Sequence, residues 1–224
     1  LASSKNKNNV MPSISYAITA CNEHVELDRL LSQLLPSIRD EDEIIVQMDA
    51  SPHDKYHLPE DKKKVLGYIM NLQEQGRIRV VLCPLNNDFA TFKNNLKSLC
   101  TKDYIFQIDA DEYLSEELLT YLPAILEDNS NVEMFSIPRI NTVEGLTEQH
   151  IKQWGWRVDD KGWVNYPDYQ NRILKNNPEI QWKNKVHEVL IGARTITSLP
   201  PGFDLIHPKD IKRQEKQNAF YDQI

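Results

Sequence analysis

Apolar positions along this chain alternate between two periods. The run SISYAIT (13–19) is short and mostly apolar, which predicts a strand, and it ends in the cluster Ala20, Cys21, Asn22, Glu23. From there to Arg39, Leu27, Leu30, Leu31, Leu34, Leu35 and Ile38 recur at helical spacing and predict a helix with one apolar face. The pair repeats. EIIVQM (43–48) predicts a buried strand, followed by the polar loop DASPHDKYHLPE and a helix over about 61–75 that stops at Gly76. RIRVVLC (77–83) is a third strand, Phe89 to Cys100 a helix, and DYIFQI (103–108) a fourth strand. After the acidic run Asp109, Ala110, Asp111, Glu112 comes a helix from Glu116 to Glu127, with Ser115 as its cap.

Four strands interleaved with helices predict an α/β fold with a mostly parallel sheet whose polar strand ends line one crevice. After Asn131 the alternation stops. VEMFSIPRI (132–140), NRILK (171–175) and KVHEVLIG (185–192) are strand-like, Gln153 to Pro167 is rich in aromatics, and the tail 208–224 is charged and helical in pattern. The expected organisation is a polar leader over 1–12, then one domain over 13–224. Within it, 13–130 is a cofactor-binding half, 131–207 a smaller antiparallel half that shapes a second pocket, and 208–224 a terminal helix.

Composition narrows the chemistry. Seven glycines in 224 residues is about 3%, less than half the usual share of about 7%. They are too scattered for G-x-G-x-x-G, a P-loop or a G-x-S-x-G elbow, so any phosphate charge must be met by other means. The net charge of −7 provides no bulk field for nucleic acid or an anionic membrane. Cys21, Cys83 and Cys100 form no C-x-x-C pair, which fits small buried residues in a reducing compartment. No apolar run reaches the roughly 20 residues of a membrane span. The expectation is a soluble, cytoplasmic protein.

The sharpest local feature is Asp109-Ala110-Asp111, directly after the strand YIFQI. Carboxylates at i and i+2 where a strand turns into a loop can share one hard cation or its waters, and such a set suits Mg²⁺ or Mn²⁺ better than Zn²⁺. An acidic turn ahead of a capped helix would use the same residues without function. Thr19 to Glu23, Asp49, and Asn86 to Asp88 end the other strands, where carboxylates and amides suit a base and a ribose.

Taken in order, ITACNEHVELDRLLSQL, IIVQMDAS and FKNNLKSLCTKDYIFQIDADEYL resemble a family 2 glycosyltransferase with the GT-A nucleotide-diphospho-sugar transferase fold. The likeness continues through YPDYQNRIL, NKVHEVL and LIHP, which are similar to the bacterial branch that builds lipopolysaccharide cores and related glycans. It implies that Thr19, Ala20 and Glu23 hold the nucleotide and that Asp49 contacts the base. Lys93-Asn94 stands in place of Arg-Asn, a point charge instead of a fork. Asp109, with Ala110 beside it, would lie near ribose and metal, and Asp111 would bind Mn²⁺ or Mg²⁺ on the diphosphate. His207 or its rival His187 would complete the metal site. Asp168, followed by Arg172 and with Pro167 in the place of a glutamate, corresponds to the general base. Glu188 is the alternative base.

The reaction so implied is inverting transfer of a sugar, with a UDP-hexose as the default donor, to an acceptor hydroxyl of a glycan. The metal, with Lys93 or Arg172, would stabilise the leaving diphosphate. A carboxylate would take the acceptor proton, and Trp154, Trp156 and Trp163 would stack on acceptor sugars. A haloacid-dehalogenase-like phosphatase with Asp109 as nucleophile normally carries D-x-D after its first strand. Here it follows the fourth, and Tyr113 occupies the position where that family has threonine or valine. A sugar nucleotidyltransferase would need a glycine-rich loop after strand one, and none is present. A non-catalytic glycan- or cation-binding module is the remaining alternative.

Overall fold

A computed structural model describes residues 11–52 and 59–221. Outside them lie residues 1–10 of the expected leader, 53–58 of the expected loop and 222–224 of the expected tail.

The first half follows the periodicity. In order come β1 (Ile14–Ala20), α1 (His24–Leu34), β2 (Glu43–Asp49), α2 (Glu60–Glu74), β3 (Arg79–Cys83), α3 (Phe89–Ser98), β4 (Tyr104–Asp109), the two-residue β5 (Tyr113–Leu114) and α4 (Glu116–Asp128). Helix α1 ends five residues before the expected Arg39. Pro36 has no N–H to continue the ladder, and the amides of Ser37 and Ile38 both fall back on the Leu34 carbonyl. Ser115 caps α4 by accepting from the Leu118 amide at 3.2 Å, and Asp88 caps α3 through the Thr91 amide at 2.9 Å.

The second half divides more finely than its sequence pattern. The run 132–140 breaks at Pro138 into β6 (Met134–Ile137) and β7 (Arg139–Glu144). Next come α5 (Glu148–Trp154), β8 (Gln170–Lys175), β9 (Gln181–Lys183), β10 (Val189–Ile191), β11 (Ile196–Ser198), β12 (Leu205–Asp210) and α6 (Ile211–Tyr221). Of the run 185–192, three residues are strand. The tail stays extended to Asp210 before it becomes helical.

One seven-stranded sheet runs β11-β6-β8-β4-β1-β2-β3. β1 pairs in parallel with β2 and β4, and β2 with β3, while β8 is antiparallel to both β4 and β6. The antiparallel portion expected after residue 131 is therefore present in β8 and in the β9–β10 pair. Two pairings there are parallel, β11 with β6 and β12 with β7. The chain moves outward from β1 to β3 and then returns to the other side of β1 with β4. That reversal opens a crevice at the carboxyl ends of β1 and β4.

Alternation along the strands supplies two apolar layers. Ile14, Tyr16 and Ile18, with Ile44, Val46 and Met48, pack on Leu27, Leu30, Leu31 and Leu34 of α1 and on Val65 and Ile69 of α2. Ala17, Ile45 and Ile105 face the other way, toward Ala90 and Leu96 of α3 and Trp182 of β9. Each α1 leucine is fully buried, so truncating one to alanine costs about 2–5 kcal/mol. No helix among the described residues is long and apolar enough to cross a membrane.

Gly192 closes β10 at φ +96°, and a Cβ there would stand 2.0 Å from the Glu179 carbonyl oxygen. Both the backbone angle and the close approach demand glycine. Gly192→Ala is expected to lower stability by about 3 kcal/mol or more in urea unfolding, since the clash adds to left-handed strain.

Candidate active site

The crevice above β1 and β4 is a cleft of about 830 Å³. That lies within the range of roughly 300–1,000 Å³ usual for small-molecule sites. Twelve of the residues singled out in the sequence line it: Thr19, Ala20, Glu23, Asp49, Lys93, Asp109, Ala110, Asp111, Arg172, His187, Glu188 and His207.

Strand register explains the centre of the site. Thr19 and Asp109 are partners across the parallel β1–β4 pair. The Thr19 hydroxyl donates to Asp109 Oδ1 at 2.8 Å. Arg172, returned to the same spot by the reversed strand β8, donates from Nη2 to Asp109 Oδ2 at 2.7 Å. Lys93 Nζ lies 3.4 Å from Asp109 Oδ1 and donates to Glu188 Oε1 at 2.7 Å. Burial alone would raise the Asp109 carboxyl. The charges of Arg172 and Lys93 and the hydrogen bonds from Arg172 and Thr19 outweigh burial and hold it well below the usual carboxylate range.

Asp111 stands one step further out. Its Oδ2 is 3.1 Å from His207 Nε2 and 3.2 Å from Arg213 Nη2. Burial opposes ionisation here too, but the His207 hydrogen bond and the charges of His207 and Arg213 prevail, so this carboxyl also sits well below its ordinary value. Arg213 reaches in from α6 and also donates to Glu23 Oε1 at 2.9 Å and Glu26 Oε1 at 3.0 Å. Burial, and then the neighbouring Asp111 charge, raise the Glu23 carboxyl. Asp49 is held by Lys62 Nζ at 2.7 Å and by the amides of Ser51 and Leu85, both at 2.9 Å. These bonds outweigh its burial and lower its carboxyl.

Asp111 and His207 are the pair whose chemistry fits a divalent cation. No group of three or more histidine, cysteine, aspartate or glutamate side chains among the described residues is placed to hold a metal. Two protein donors nonetheless match a cation whose remaining ligands are phosphate oxygens and water, the usual state of Mg²⁺ at nucleotide sites.

Five expected site residues stand apart from the cleft. Asn94 spends both ends of its amide on the Trp182 backbone, each at 2.9 Å, and so ties α3 to β9. Asp168 is outside the lining. Its Oδ2 accepts from Arg139 Nε at 3.0 Å, Arg139 Nη2 at 2.7 Å and Asn141 Nδ2 at 2.9 Å, and its Oδ1 accepts from Gln170 at 2.8 Å. Those partners override the effect of burial and lower its carboxyl. Trp154, Trp156 and Trp163 pack locally. Trp154 stacks on His150 at 5.0 Å and lies 4.6 Å from Trp156, and Trp163 lies 4.7 Å from Tyr166.

Other site residues carried little sequence signal. Glu112 is fully buried and joins Arg139 and Arg172, at 3.1 and 2.7 Å. Arg139, inside the apolar run VEMFSIPRI, was findable, because a charge within such a run needs a buried partner. Trp182 lines the cleft with Lys93 Nζ 4.7 Å above its ring. Cys21 also faces the cleft and is half-buried, as is Cys83, so of the three thiols Cys100 alone is buried as expected.

Fold and site together define a nucleotide-type crevice. Six cationic side chains, Lys93, Arg139, Arg172, Lys209, Arg213 and Lys216, meet five carboxylates there, in a chain whose net charge is −7. The family model described as glycosyl transferase family 2 matches residues 15–189, and the chain belongs to that family. Among solved structures, S. aureus TarS 1–349 has a TM-score of 0.57 at 13% identity, covering 88% of this chain and 60% of that one. Its complex with UDP-GlcNAc has a TM-score of 0.58 at 14% identity, covering 88% and 58%. Its complex with UDP has a TM-score of 0.59 at 14% identity, covering 88% and 60%. The chain thus spans about 60% of the length of these TarS 1–349 chains. This likeness concerns the fold, which is the GT-A type that the sequence resemblance implies.

Proposed function

We propose that this protein transfers a sugar from a nucleotide-diphosphate sugar, by default a UDP-hexose, to an acceptor hydroxyl of a glycan. The observation that carries the reading is the meeting of Thr19, Asp109 and Asp111 with Lys93 and Arg172 at the point where strand order reverses. Anionic donors favour such a cation-rich cleft, and the UDP and UDP-GlcNAc in the TarS complexes support a uridine nucleotide.

In this reading Asp49 and Glu23 flank the nucleoside, and Arg172 and Lys93 face the diphosphate. Asp111 and His207 would hold Mn²⁺ or Mg²⁺, which supplies countercharge to the leaving diphosphate. Glu188 is the general base. It lines the cleft, whereas Asp168 does not. Lys93 bonds Glu188 as well as neighbouring Asp109, so a phosphate that draws the ammonium away leaves Glu188 able to accept the hydroxyl proton. Tyr169, exposed on the cleft wall, takes over from the tryptophans as the aromatic that meets an acceptor sugar.

Thermal unfolding with UDP, UDP-GlcNAc and other nucleotide sugars, with and without Mn²⁺, tests the donor. Ligand at about 100 times Kd stabilises by about 2.7 kcal/mol, so a clear rise in midpoint is expected with UDP-linked ligands and Mn²⁺ together. The reading fails if no nucleoside diphosphate shifts the midpoint.

A further inference from the structure

Arg213 belongs to the charged run KDIKRQEK (209–216) and lies in the first turn of α6. Its amide donates to Asp210 Oδ1 at 2.9 Å, which secures the start of the helix, while its side chain turns back into the cleft. There it meets three carboxylates. Nη2 donates to Glu23 Oε1 at 2.9 Å and lies 3.2 Å from Asp111 Oδ2, and Nη1 donates to Glu26 Oε1 at 3.0 Å. The other oxygen of Glu23 accepts from the amides of Cys21 and Asn22, at 2.7 and 3.0 Å, and so closes the turn after β1. One guanidinium therefore ties α6 to that turn, to α1 and to Asp111. The Arg213 side chain is 30% exposed and belongs to neither apolar layer, so the packing does not depend on it.

Charge gives this contact a consequence. Glu23 and Asp111 are close enough for the Asp111 charge to raise the Glu23 carboxyl, and a pair of like charges calls for a counter-ion. The guanidinium is one such ion, and a divalent cation on Asp111 would be another. Two positive charges at one carboxylate repel, so each weakens the hold of the other. A nucleoside diphosphate alters the balance, because its oxygens offer a guanidinium a further anionic partner.

From this arrangement we infer that Arg213 couples cation binding to nucleotide binding: its guanidinium contends with a divalent cation for Asp111, and a diphosphate in the cleft relieves the contest. The inference rests on the donor reading above. It gives the acidic side of the cleft weak affinity for a cation alone and a higher one for cation and nucleotide together. Such coupling is reciprocal, so the cation strengthens nucleotide binding by the same factor.

Mn²⁺ titrations of the full chain, followed by the free-ion EPR signal with and without UDP, test it. Arg213→Gln removes the competing charge and Arg213→Lys keeps it, and circular dichroism checks that both are folded. Without UDP, Arg213→Gln is expected to bind Mn²⁺ about 5 times more tightly than the wild type, or better, and Arg213→Lys about as weakly as the wild type. The gain in Mn²⁺ affinity on adding UDP is expected to shrink by at least that factor in Arg213→Gln. Unchanged, weaker or undetectable Mn²⁺ binding by Arg213→Gln without UDP overturns the coupling, and so does an equal tightening in Arg213→Lys. Those results leave the donor reading standing. A wild type that binds no Mn²⁺ even with UDP overturns the donor reading and the coupling with it.

Discussion

Asp111→Ala is expected to lower sugar transfer by about 10³-fold or more while the protein stays folded. The side chain lines the cleft outside both apolar layers, so its loss leaves the packing intact. Arg213 keeps Glu23 and Glu26 as partners in its absence. What disappears is the carboxylate beside His207 that would hold the cation on the diphosphate. Loss should therefore extend to Mn²⁺-dependent UDP binding. Glu188→Gln is expected to behave differently, with turnover down by about 10²- to 10⁴-fold and UDP binding retained, because it removes a proton acceptor and leaves the cation site alone. Steady-state kinetics beside UDP titrations separate the two. Undiminished transfer by Asp111→Ala would contradict the assignment of the site.

Glu112→Gln is expected to cost about 3–5 kcal/mol of stability, read as a lower urea midpoint. Glu112 is fully buried and accepts from Arg139, Arg172 and the Asp109 amide. An amide of the same shape carries no charge and turns a donor toward one of these donors. Two arginines are left with Asp109 and Asp168 as their nearest anions. Arg172 has no slack, since its Nε already lacks a partner among the described residues. Against an ordinary total of about 5–15 kcal/mol, the loss is a large share. A midpoint equal to that of the wild type would mean that Glu112 is not what holds the two guanidiniums.

The same cluster explains why the site was half legible. Asp109 and Asp111 announce themselves because they follow a buried strand directly, and Thr19 and Asp49 do so for the same reason. Glu112, adjacent to them, reads as one more acid in a turn, and its burial follows from Arg139 and Arg172, 27 and 60 residues away. Asp168 reads as a catalytic carboxylate by its place in a family motif. The sequence does not show the four hydrogen bonds from Arg139, Asn141 and Gln170 that hold it.

Periodicity alone determined the first half of the fold: four strands, their intervening helices, and the strand ends where a site would form. Each of those signals lies within one element, where burial of an apolar face depends on neighbours a few residues apart. Tertiary structure decided the rest. β9, β10 and β11 are three residues each, too short to carry a period. β12 meets β7 and β5 only through long-range pairing. His207 reaches Asn141 across 66 residues of sequence and Asp111 across 96. Contacts of that separation depend on sheet register and strand order, which no local pattern encodes. The carboxylates were therefore readable from the chain, and the partners that assign each one its task were not.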